Sequence, residues 1–238
     1  MGKVALLWSG GIDCLASYVM YKGKVDVLVC VDMRHKYARL ERVAAWVVAL
    51  ELGIAEKIED VSFPLLGEFE KPNAEIPMRN VFLLMIAKLF ASEVVISIEL
   101  GSFENESDDR SMAFLSKMGG MLVGMDPHTV ISNPVKTMTK VDEVRVILDY
   151  FGEGRAIELL GMTYSCYSGK GRCGKCKACI RTYLALRYWE IDCDGWFASN
   201  PSKSSTYEKY RVAVQAGKYP GKRGGQYQKV FLGDGGII

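Results

Sequence analysis

The chain has 238 residues, of which 49% are hydrophobic and 24% are charged. This composition is typical of a globular protein with one large domain, or one domain and a small module, and it excludes disorder throughout. Lysine and arginine total 30 against 28 acidic residues, so the formal charge of +2 neither requires nor excludes a nucleic-acid partner. No uncharged apolar run reaches the roughly 18 residues of a membrane-spanning helix, and the N-terminus does not resemble a signal peptide. We therefore expect a cytoplasmic protein without a membrane partner.

Short β-branched apolar runs alternate with helical patterns, which predicts βαβ units in a parallel sheet. The predicted strands are Val4–Trp8, Val25–Val31, Glu56–Val61, Val94–Ile98 and a short fifth at Val130–Ile131. The predicted helices are Cys14–Tyr21, Tyr37–Leu52, Arg79–Ala91, Arg110–Met118, Lys140–Tyr150 and Lys177–Tyr188. The pattern indicates an α/β fold, an open parallel sheet with helices on both faces. Ligands of such sheets bind outside the carboxyl ends of the strands.

Three segments of the chain differ in composition. Residues 1–151 contain the alternating pattern and are predicted to form the α/β domain, and residues 152–198 are predicted to form a helical, cysteine-bearing region; the motifs described next predict that the first binds a nucleotide and the second binds zinc. Residues 199–238 form a basic C-terminal extension, with seven basic and two acidic residues. Its Gly, Ser and Lys content predicts a solvated tail, and binding of an anionic partner is the alternative.

A glycine-containing loop follows the first predicted strand. Its sequence is Ser9-Gly10-Gly11-Ile12-Asp13-Cys14, and it opens a helix. Glycines allow a tight turn, and the free N–H groups at a helix N-terminus attract anions, so the loop predicts a phosphate site. An ordinary turn is the alternative. The loop resembles the Ser-Gly-Gly-x-Asp-Ser loop of the PP-loop ATP pyrophosphatases, which cleave ATP to AMP and pyrophosphate. Cys14 replaces the final serine, and a thiol is the poorer hydrogen-bond donor.

Four cysteines crowd into one short segment: Cys166, Cys173, Cys176 and Cys179. Four thiolates complete a tetrahedral zinc site and leave no position for water, and such closed sites are structural. A reducing compartment disfavours stable disulfides between these cysteines. An iron–sulfur cluster is the alternative to zinc as the occupant of the four thiolates. We predict one structural Zn²⁺ per chain.

The cysteine segment and the phosphate loop together resemble one family. Ser165-Cys166-Tyr167 followed by Cys173-Gly174-Lys175-Cys176-Lys177-Ala178-Cys179 is similar to the zinc motif of the 7-cyano-7-deazaguanine synthase (QueC) family, whose members are PP-loop enzymes. The resemblance extends with gaps from about Val4 to Arg181 and leaves the chain after about Ala198 unmatched. It implies a Rossmann-like fold of the PP-loop (HUP-like) type and a homodimer.

Further matches to the family lie on the substrate side. Ile76-Pro77-Met78-Arg79-Asn80 resembles its Val-Pro-x-Arg-Asn segment, and Arg34-His35 matches the end of its Tyr-Gly-x-Arg-His segment. The resemblance implies that Arg34, His35 and Asn80 contact the substrate, and a general-base role for His35 is a hypothesis. A surface arginine, a helix cap and a structural histidine are the local alternatives.

Asp108 and Arg110 match the end of the family loop that receives the deazaguanine. A carboxylate suits the donor edge of a guanine-like base, and an arginine suits a carboxylate. Within the same stretch, Ser97, Ser107 and Asp109 replace the glycine, proline and cysteine of the family. A solvated acidic loop is the alternative for this composition.

Asn133-Pro134 and, after five intervening residues, Lys140 resemble the family's Pro-x5-Lys segment, whose lysine approaches the ATP phosphates. An exposed lysine behind an N-cap is the alternative. The resemblance implies ATP and Mg²⁺ as cofactors. It also implies that Asp13, Arg79 and Lys140 are the catalytic residues, which position the phosphates and neutralise their charge.

The implied reaction is ATP-dependent adenylation of the carboxylate of 7-carboxy-7-deazaguanine, followed by reaction with ammonia to give 7-cyano-7-deazaguanine. The altered substrate loop and the extra tail favour, as the alternative, a ligase that joins the carboxylate to a protein or another amine, or an enzyme that stops at the amide. A tRNA-modifying PP-loop ATPase is a third interpretation. The chain before the tail is acidic on balance, so a nucleic-acid partner is not expected.

Overall fold

The structure is a computed structural model that describes residues 2–21, 23–72, 74–99, 112–219 and 221–233. The strands are β1 (Val4–Leu7), β2 (Val27–Asp32), β3 (Ile58–Ser62), β4 (Glu93–Val95) and β5 (Val130–Ser132). The helices are α1 (Ile12–Tyr21), α2 (Ala38–Glu51), α3 (Arg79–Lys88), α4 (Met112–Met125), α5 (Lys140–Phe151), α6 (Glu153–Met162), α7 (Lys177–Tyr188), α8 (Ser205–Gln215) and α9 (Lys222–Gly233). Within these described ranges, no helix has both the length and the apolar character needed to span a bilayer.

In the described residues, five strands form one parallel sheet in the order β3-β2-β1-β4-β5. The central strand β1 pairs with β2 on one side and with β4 on the other, so Leu6 lies opposite both Leu28 and Val95. The chain therefore builds the sheet outward from β1 in both directions. The strand order reverses between β1 and β4, and open α/β sheets bind ligands at this switch point.

The two faces of the sheet pack against different helices. Leu6, Leu28 and Val95 belong to the larger hydrophobic cluster, which includes side chains of α1, α2, α5, α6 and α7. Ala5 and Val29 belong to a second cluster with α3 and α4. Neighbouring strand residues point to opposite faces, so each strand contributes to both clusters. The predicted α/β fold with helices on both faces is confirmed.

Most predicted elements differ from the observed ones only at their ends. The short fifth strand is confirmed as β5, and α7 has the predicted bounds. β4 is shorter than predicted: Ile96 still donates its N–H to the Ser132 carbonyl at 2.9 Å, but Ser97, Ile98 and Glu99 line the cavity described below. The helix predicted from Arg110 is described from Met112 onward, and its first two predicted residues lie outside the described residues.

The C-terminal extension is not a solvated tail over residues 204–219 and 221–233, and that prediction is wrong. α8 and α9 pack on α7 and bury Tyr207, Tyr227, Val230 and Phe231. The rings of Tyr207 and Phe231 meet edge to face, with their centroids 5.1 Å apart. The prediction failed because it weighed composition and not spacing: positions 227, 230 and 231 recur as one face of a helix.

Helices α5, α6 and α7 continue the larger core across the predicted boundary at residue 152. Gly152 ends α5, and α6 starts at the next residue. Val144, Leu159 and Leu184 join the same hydrophobic cluster as Leu6 of β1. The side chains of the α/β and zinc-binding segments thus share a core, and the division into three domains stays a prediction.

Candidate functional site

The phosphate loop occupies the turn between β1 and α1, formed by Ser9, Gly10 and Gly11. Gly10 has a φ of +69°, and a Cβ on it would lie 2.3 Å from the backbone nitrogen of Ala45 in α2. A side chain at this position would be both strained and obstructed. The close contact with α2 therefore requires glycine at residue 10, whereas a Cβ at Gly11 would meet nothing nearer than 3.4 Å.

Cys14 holds the loop through its thiol. Its Sγ donates to the carbonyl oxygen of Gly11 at 3.1 Å and lies 3.8 Å from Oγ of Ser9. Burial raises the pKa of the Cys14 thiol, so the side chain is neutral at physiological pH. The cysteine thus makes a hydrogen bond within the turn.

Asp13 and Lys140 form a direct ion pair at the mouth of the phosphate loop. Asp13 is in the first turn of α1, and Lys140 is the first residue of α5. Burial alone would raise the pKa of Asp13, but the Lys140 charge, a hydrogen bond with Glu143 and the Arg181 charge together lower it to about 2. Burial alone would lower the pKa of Lys140, but Asp13 and other nearby carboxylates raise it instead. Both groups are therefore charged at neutral pH.

Glu143 is a buried carboxyl of the site that was not predicted. Its side chain is fully buried, and its Oε2 lies 3.3 Å from Nζ of Lys140. Burial raises the pKa of Glu143 well above its usual value, and the negative charge of Asp13 raises it further. The carboxyls of Asp13 and Glu143 thus compete for the Lys140 ammonium. The raised pKa of Glu143 favours its protonated, neutral form, while Asp13 stays ionised. The available signal was its i,i+3 spacing from Lys140 on a helix.

Arg79 and Asn80 begin α3, as the sequence predicted. Met78 before them adopts a left-handed conformation with a φ of +57°, which turns the chain into the helix. Asn80 is buried, and Nε of Arg79 donates to its Oδ1 at 3.4 Å. A helix N-terminus next to a guanidinium is a favourable place for an anion.

Arg181 and Glu99 are further charged residues of the site that were not predicted. Nη1 of Arg181 lies 3.8 Å from Oε2 of Glu99, and Nη2 donates to the hydroxyl of Tyr167 at 3.5 Å. Burial alone would lower the pKa of Arg181, but the Glu99 carboxylate raises it and keeps the guanidinium charged. The sequence signal was position: Arg181 is two residues after Cys179, on a helix whose start the metal would fix.

His35 and Tyr37 form the opposite side of the site. Nε2 of His35 lies 3.1 Å from Oε2 of Glu41, and its ring packs edge-on against Tyr37, with the centroids 4.1 Å apart. The Tyr37 ring lies 5.6 Å from that of Tyr167. These rings give the site an aromatic side, and the contact with Glu41 also gives His35 a structural role.

A cavity of about 230 Å³ joins most of these groups. The sequence-predicted residues that line it are Ser9, Gly11, Asp13, Cys14, His35, Arg79, Asn80 and Lys140. Gly10 and Ile12 are buried and support the loop. Arg34 does not line this cavity: it is exposed, with a φ of +56°, beside a neighbouring surface hollow. Asp108 and Arg110 lie outside the described residues.

The four cysteines predicted as metal ligands come together. Their sulfur atoms all lie within 4.8 Å of one another. The sulfurs of Cys173 and Cys179 are 3.9 Å apart, and those of Cys166 and Cys176 are also 3.9 Å apart. Tetrahedral zinc with Zn–S bonds of about 2.3 Å requires sulfurs about 3.8 Å apart. The cluster therefore fits a structural Zn²⁺ ion.

The segment that contains the four cysteines is connected to the predicted phosphate loop by hydrogen bonds to backbone carbonyl oxygens. Nη2 of Arg172 donates to the carbonyl oxygens of Leu160 and Thr163, at 2.8 and 2.5 Å. The next residue, Tyr164, donates its N–H to the carbonyl oxygen of Gly10 at 3.1 Å. The segment that leads into the four cysteines is thus hydrogen-bonded directly to the predicted phosphate loop.

Comparison with known proteins identifies the family. The family described as queuosine biosynthesis protein QueC matches residues 66–189, more than half of the chain. This chain belongs to the QueC family. A 7-cyano-7-deazaguanine synthase from Gloeobacter violaceus is 30% identical to it over 114 residues, which are 44% of this chain and 48% of that relative. The chain spans about half the length of this curated relative. The QueC match includes α3, the four cysteines and α7, and it ends before α8 and α9.

Proposed function

We propose that this QueC-family chain uses ATP to activate the carboxylate of 7-carboxy-7-deazaguanine and combines it with ammonia to give 7-cyano-7-deazaguanine. The observation that carries the proposal is the meeting of the phosphate loop, Asp13, Lys140 and Arg181 in one cavity at the switch point of the sheet. An anion-binding turn and fixed cations are the parts that adenylation of a carboxylate requires.

In the proposed mechanism the phosphate loop binds the nucleotide. Gly11 and the first amides of α1 donate to phosphate oxygens, since the first N–H groups of a helix lack intrahelical acceptors. Lys140 and Arg79 neutralise the charge that grows on the departing pyrophosphate. Asp13 is the residue that would hold Mg²⁺, which would supply Lewis-acid stabilisation of the same charge.

The proposed reaction has two activation steps. A carboxylate oxygen of the substrate attacks the α-phosphorus of ATP, and the bond from this phosphorus to the pyrophosphate oxygen breaks. Ammonia attacks the carbonyl carbon, and AMP leaves, giving the amide and a released proton. A second ATP activates the amide oxygen with loss of pyrophosphate, and departure of AMP and the two amide protons leaves the nitrile. The residues mostly position the reactants, so no nucleophilic side chain is needed.

On the substrate side, Arg181 is the residue we assign to the carboxylate. Its guanidinium lines the cavity close to Tyr167, so a planar ring held by the Tyr37–Tyr167 side would present its carboxylate to Arg181. Asp108 and Arg110 remain predicted contacts of the base and of its carboxylate. They follow Glu99, which lines the cavity.

Differences on the substrate side favour one alternative. Ser97 stands where the family has glycine, and its hydroxyl, at the cavity, donates to Oγ of Ser17 at 2.8 Å. A changed substrate loop can admit a larger nucleophile than ammonia. The second candidate is therefore a ligase that joins the carboxylate to a protein or another amine, or an enzyme that stops at the amide. Both candidates share the adenylation step.

The test is to incubate the protein with ATP, Mg²⁺, 7-carboxy-7-deazaguanine and ammonium, and to separate nucleotides and deazaguanines by chromatography with mass spectrometry. We expect AMP, pyrophosphate and the nitrile. Formation of ADP would contradict the adenylation step. Amide alone, or product formed only after a protein amine is added, would favour the second candidate. Asp13→Asn should be inactive, whereas Asp149→Asn, a change at an exposed position of α5, should match the parent protein.

A further inference from the structure

The C-terminal helix α9 contacts the first turn of α5, the helix that begins with Lys140. Nη2 of Arg223 in α9 donates to Oε1 of Glu99, and the two side chains are only 4% and 6% exposed. The same Glu99 oxygen accepts the backbone N–H of Lys140 at 3.1 Å. One carboxylate oxygen therefore links the guanidinium of α9 to the first amide of α5.

Two more residues of α9 bind the cap of α5. Thr139 and Asp142 form a capping box at the start of α5. The Thr139 hydroxyl donates to Oε1 of Gln226 at 2.7 Å, and Nε2 of Gln226 donates to Oδ1 of Asp142 at 3.0 Å. Nζ of Lys222 lies 2.8 Å from Oδ2 of Asp142. Both members of the capping box are thus held by a helix more than 80 positions later in the chain.

These contacts fix the backbone from which the Lys140 side chain extends. The first turn of a helix opens most readily, because its first amides lack intrahelical acceptors. Glu99 accepts the first amide and places negative charge at the positive end of the α5 dipole. Glu99 also acts on the Lys140 charge, so a Glu99 carboxylate released by Arg223 would compete with Asp13 for the ammonium.

We propose that Arg223 is a positioning residue of the adenylation site. By binding Glu99, and together with Gln226 by fixing the cap of α5, it keeps the Lys140 ammonium on Asp13 beside the phosphate loop. The proposal rests on the role of Lys140 in the proposed function. The proposal assigns a positioning role to α9, a helix that lies beyond the end of the QueC match at residue 189.

The first test measures amide hydrogen exchange in the full chain and does not depend on catalysis. Arg223→Met and Gln226→Leu should each speed exchange over residues 139–144 at least tenfold, and leave exchange in β1 and α7 unchanged. Arg211→Met is the matched control, because Arg211 is a surface residue of α8 paired with Glu208. Unchanged exchange over residues 139–144 in both variants would overturn the proposal. Faster exchange throughout the sheet would also overturn it, since α9 would then stabilise the whole fold.

The second test measures ATP cleavage with the deazaguanine substrate present. Arg223→Met should lower kcat at least tenfold while KM for ATP changes less than twofold, and Arg223→Lys should restore most of the loss. Because Arg223 is proposed to act through Glu99, the double variant Arg223→Met with Glu99→Gln should be no slower than the slower single variant. Additive losses, or an unchanged kcat in Arg223→Met, would contradict the proposal.

The two tests separate the positioning role from the proposed function. If the parent protein does not cleave ATP, the proposed function fails, and the exchange measurement still decides the contact between α9 and the cap of α5. If exchange rises over residues 139–144 but kcat is unaffected, the structural contact exists and the positioning of Lys140 for catalysis is refuted.

Discussion

The carboxylate of Asp13 and the ammonium of Lys140 are in direct contact, although 127 positions separate them in the chain. Each belongs to the first turn of a helix, Asp13 to α1 and Lys140 to α5. The contact therefore joins the two helix starts at the edge of the sheet where the strands end. Each charge therefore compensates the other.

We expect the Asp13→Asn and Lys140→Met variants to be coupled in stability. Lys140→Met leaves Asp13 without its cation, and the double variant removes both charges. The coupling free energy from urea unfolding of the parent, the two single variants and the double variant should be about 1–2 kcal/mol, less than for a fully buried pair because Asp13 is partly exposed. A coupling near zero would mean that the two side chains do not depend on each other.

The buried carboxyl of Glu143 should make the unfolding free energy of the parent protein depend on pH, and the Glu143→Gln variant should lack this dependence. The pKa of Glu143 is raised on folding, mainly by burial, so the parent loses stability as pH rises above the unfolded value of 4.5. Glutamine has no proton to lose, so the variant should be more stable than the parent at pH 7 and close to it at pH 4. Each unit by which the folded pKa is raised corresponds to about 1.4 kcal/mol.

Urea midpoints at the two pH values provide the measurement for Glu143→Gln. The control is Glu158→Gln, which changes an exposed carboxylate of α6. Asp13 acts in the opposite direction: its pKa is lowered to about 2, so the stability that it contributes is lost only as pH falls below about 4. A difference between Glu143→Gln and the parent that stays constant with pH would contradict the assignment of the proton to Glu143.

Gly10→Ala should lower the stability of the fold, whereas Gly11→Ala should weaken ATP binding. A methyl group at residue 10 would collide with α2 and strain the backbone, so we expect a loss of about 2–4 kcal/mol in unfolding free energy. A methyl group at residue 11 meets no backbone atom closer than 3.5 Å but lines the cavity, so Gly11→Ala should fold normally and bind ATP poorly. Thermal unfolding and calorimetric ATP titration distinguish the two effects.

Purified protein should contain one zinc ion per chain. Cys176→Ser should lose the metal and about 4 kcal/mol or more of unfolding free energy, as loss of a metal site does. Cys193→Ala is the control, since Cys193 is a buried cysteine that lies outside the four-cysteine cluster, and this variant should keep its zinc. Elemental analysis gives the answer, and iron in place of zinc would contradict the prediction.

The loop after β1 and the clustering of the four cysteines could be predicted from the sequence, because the residues of each motif lie close together in the chain. The Ser9–Cys14 loop and the cysteines needed no knowledge of distant contacts. Glu143, Arg181 and Arg223 could not be predicted in the same way. Each is an ordinary charged residue in its local sequence, and its importance arises from a partner brought near by the fold, such as Glu99 for Arg223.

The sheet order was not predicted either, although the strands were. Periodicity reports which residues are buried, and it does not report which strand lies beside which. The solvated-tail prediction failed for a related reason, because α9 is polar in composition and buries only one of its faces. Composition averages over faces, and the contacts of Tyr227 and Phe231 with the core depend on which face each residue occupies.

If the four-cysteine cluster holds zinc as predicted, the hydrogen bond from Tyr164 to Gly10 would make the predicted phosphate loop sensitive to the supply of zinc. Tyr164 leads directly into the first metal-ligand motif, so disorder of that segment in a metal-depleted protein would release the carbonyl of Gly10. A chain made under zinc starvation would then keep its strand pairing, which involves none of the four clustered cysteines, and yet bind nucleotide poorly. A structural zinc ion, although it takes no part in the reaction, would in this way determine what fraction of the protein in the cell can bind nucleotide.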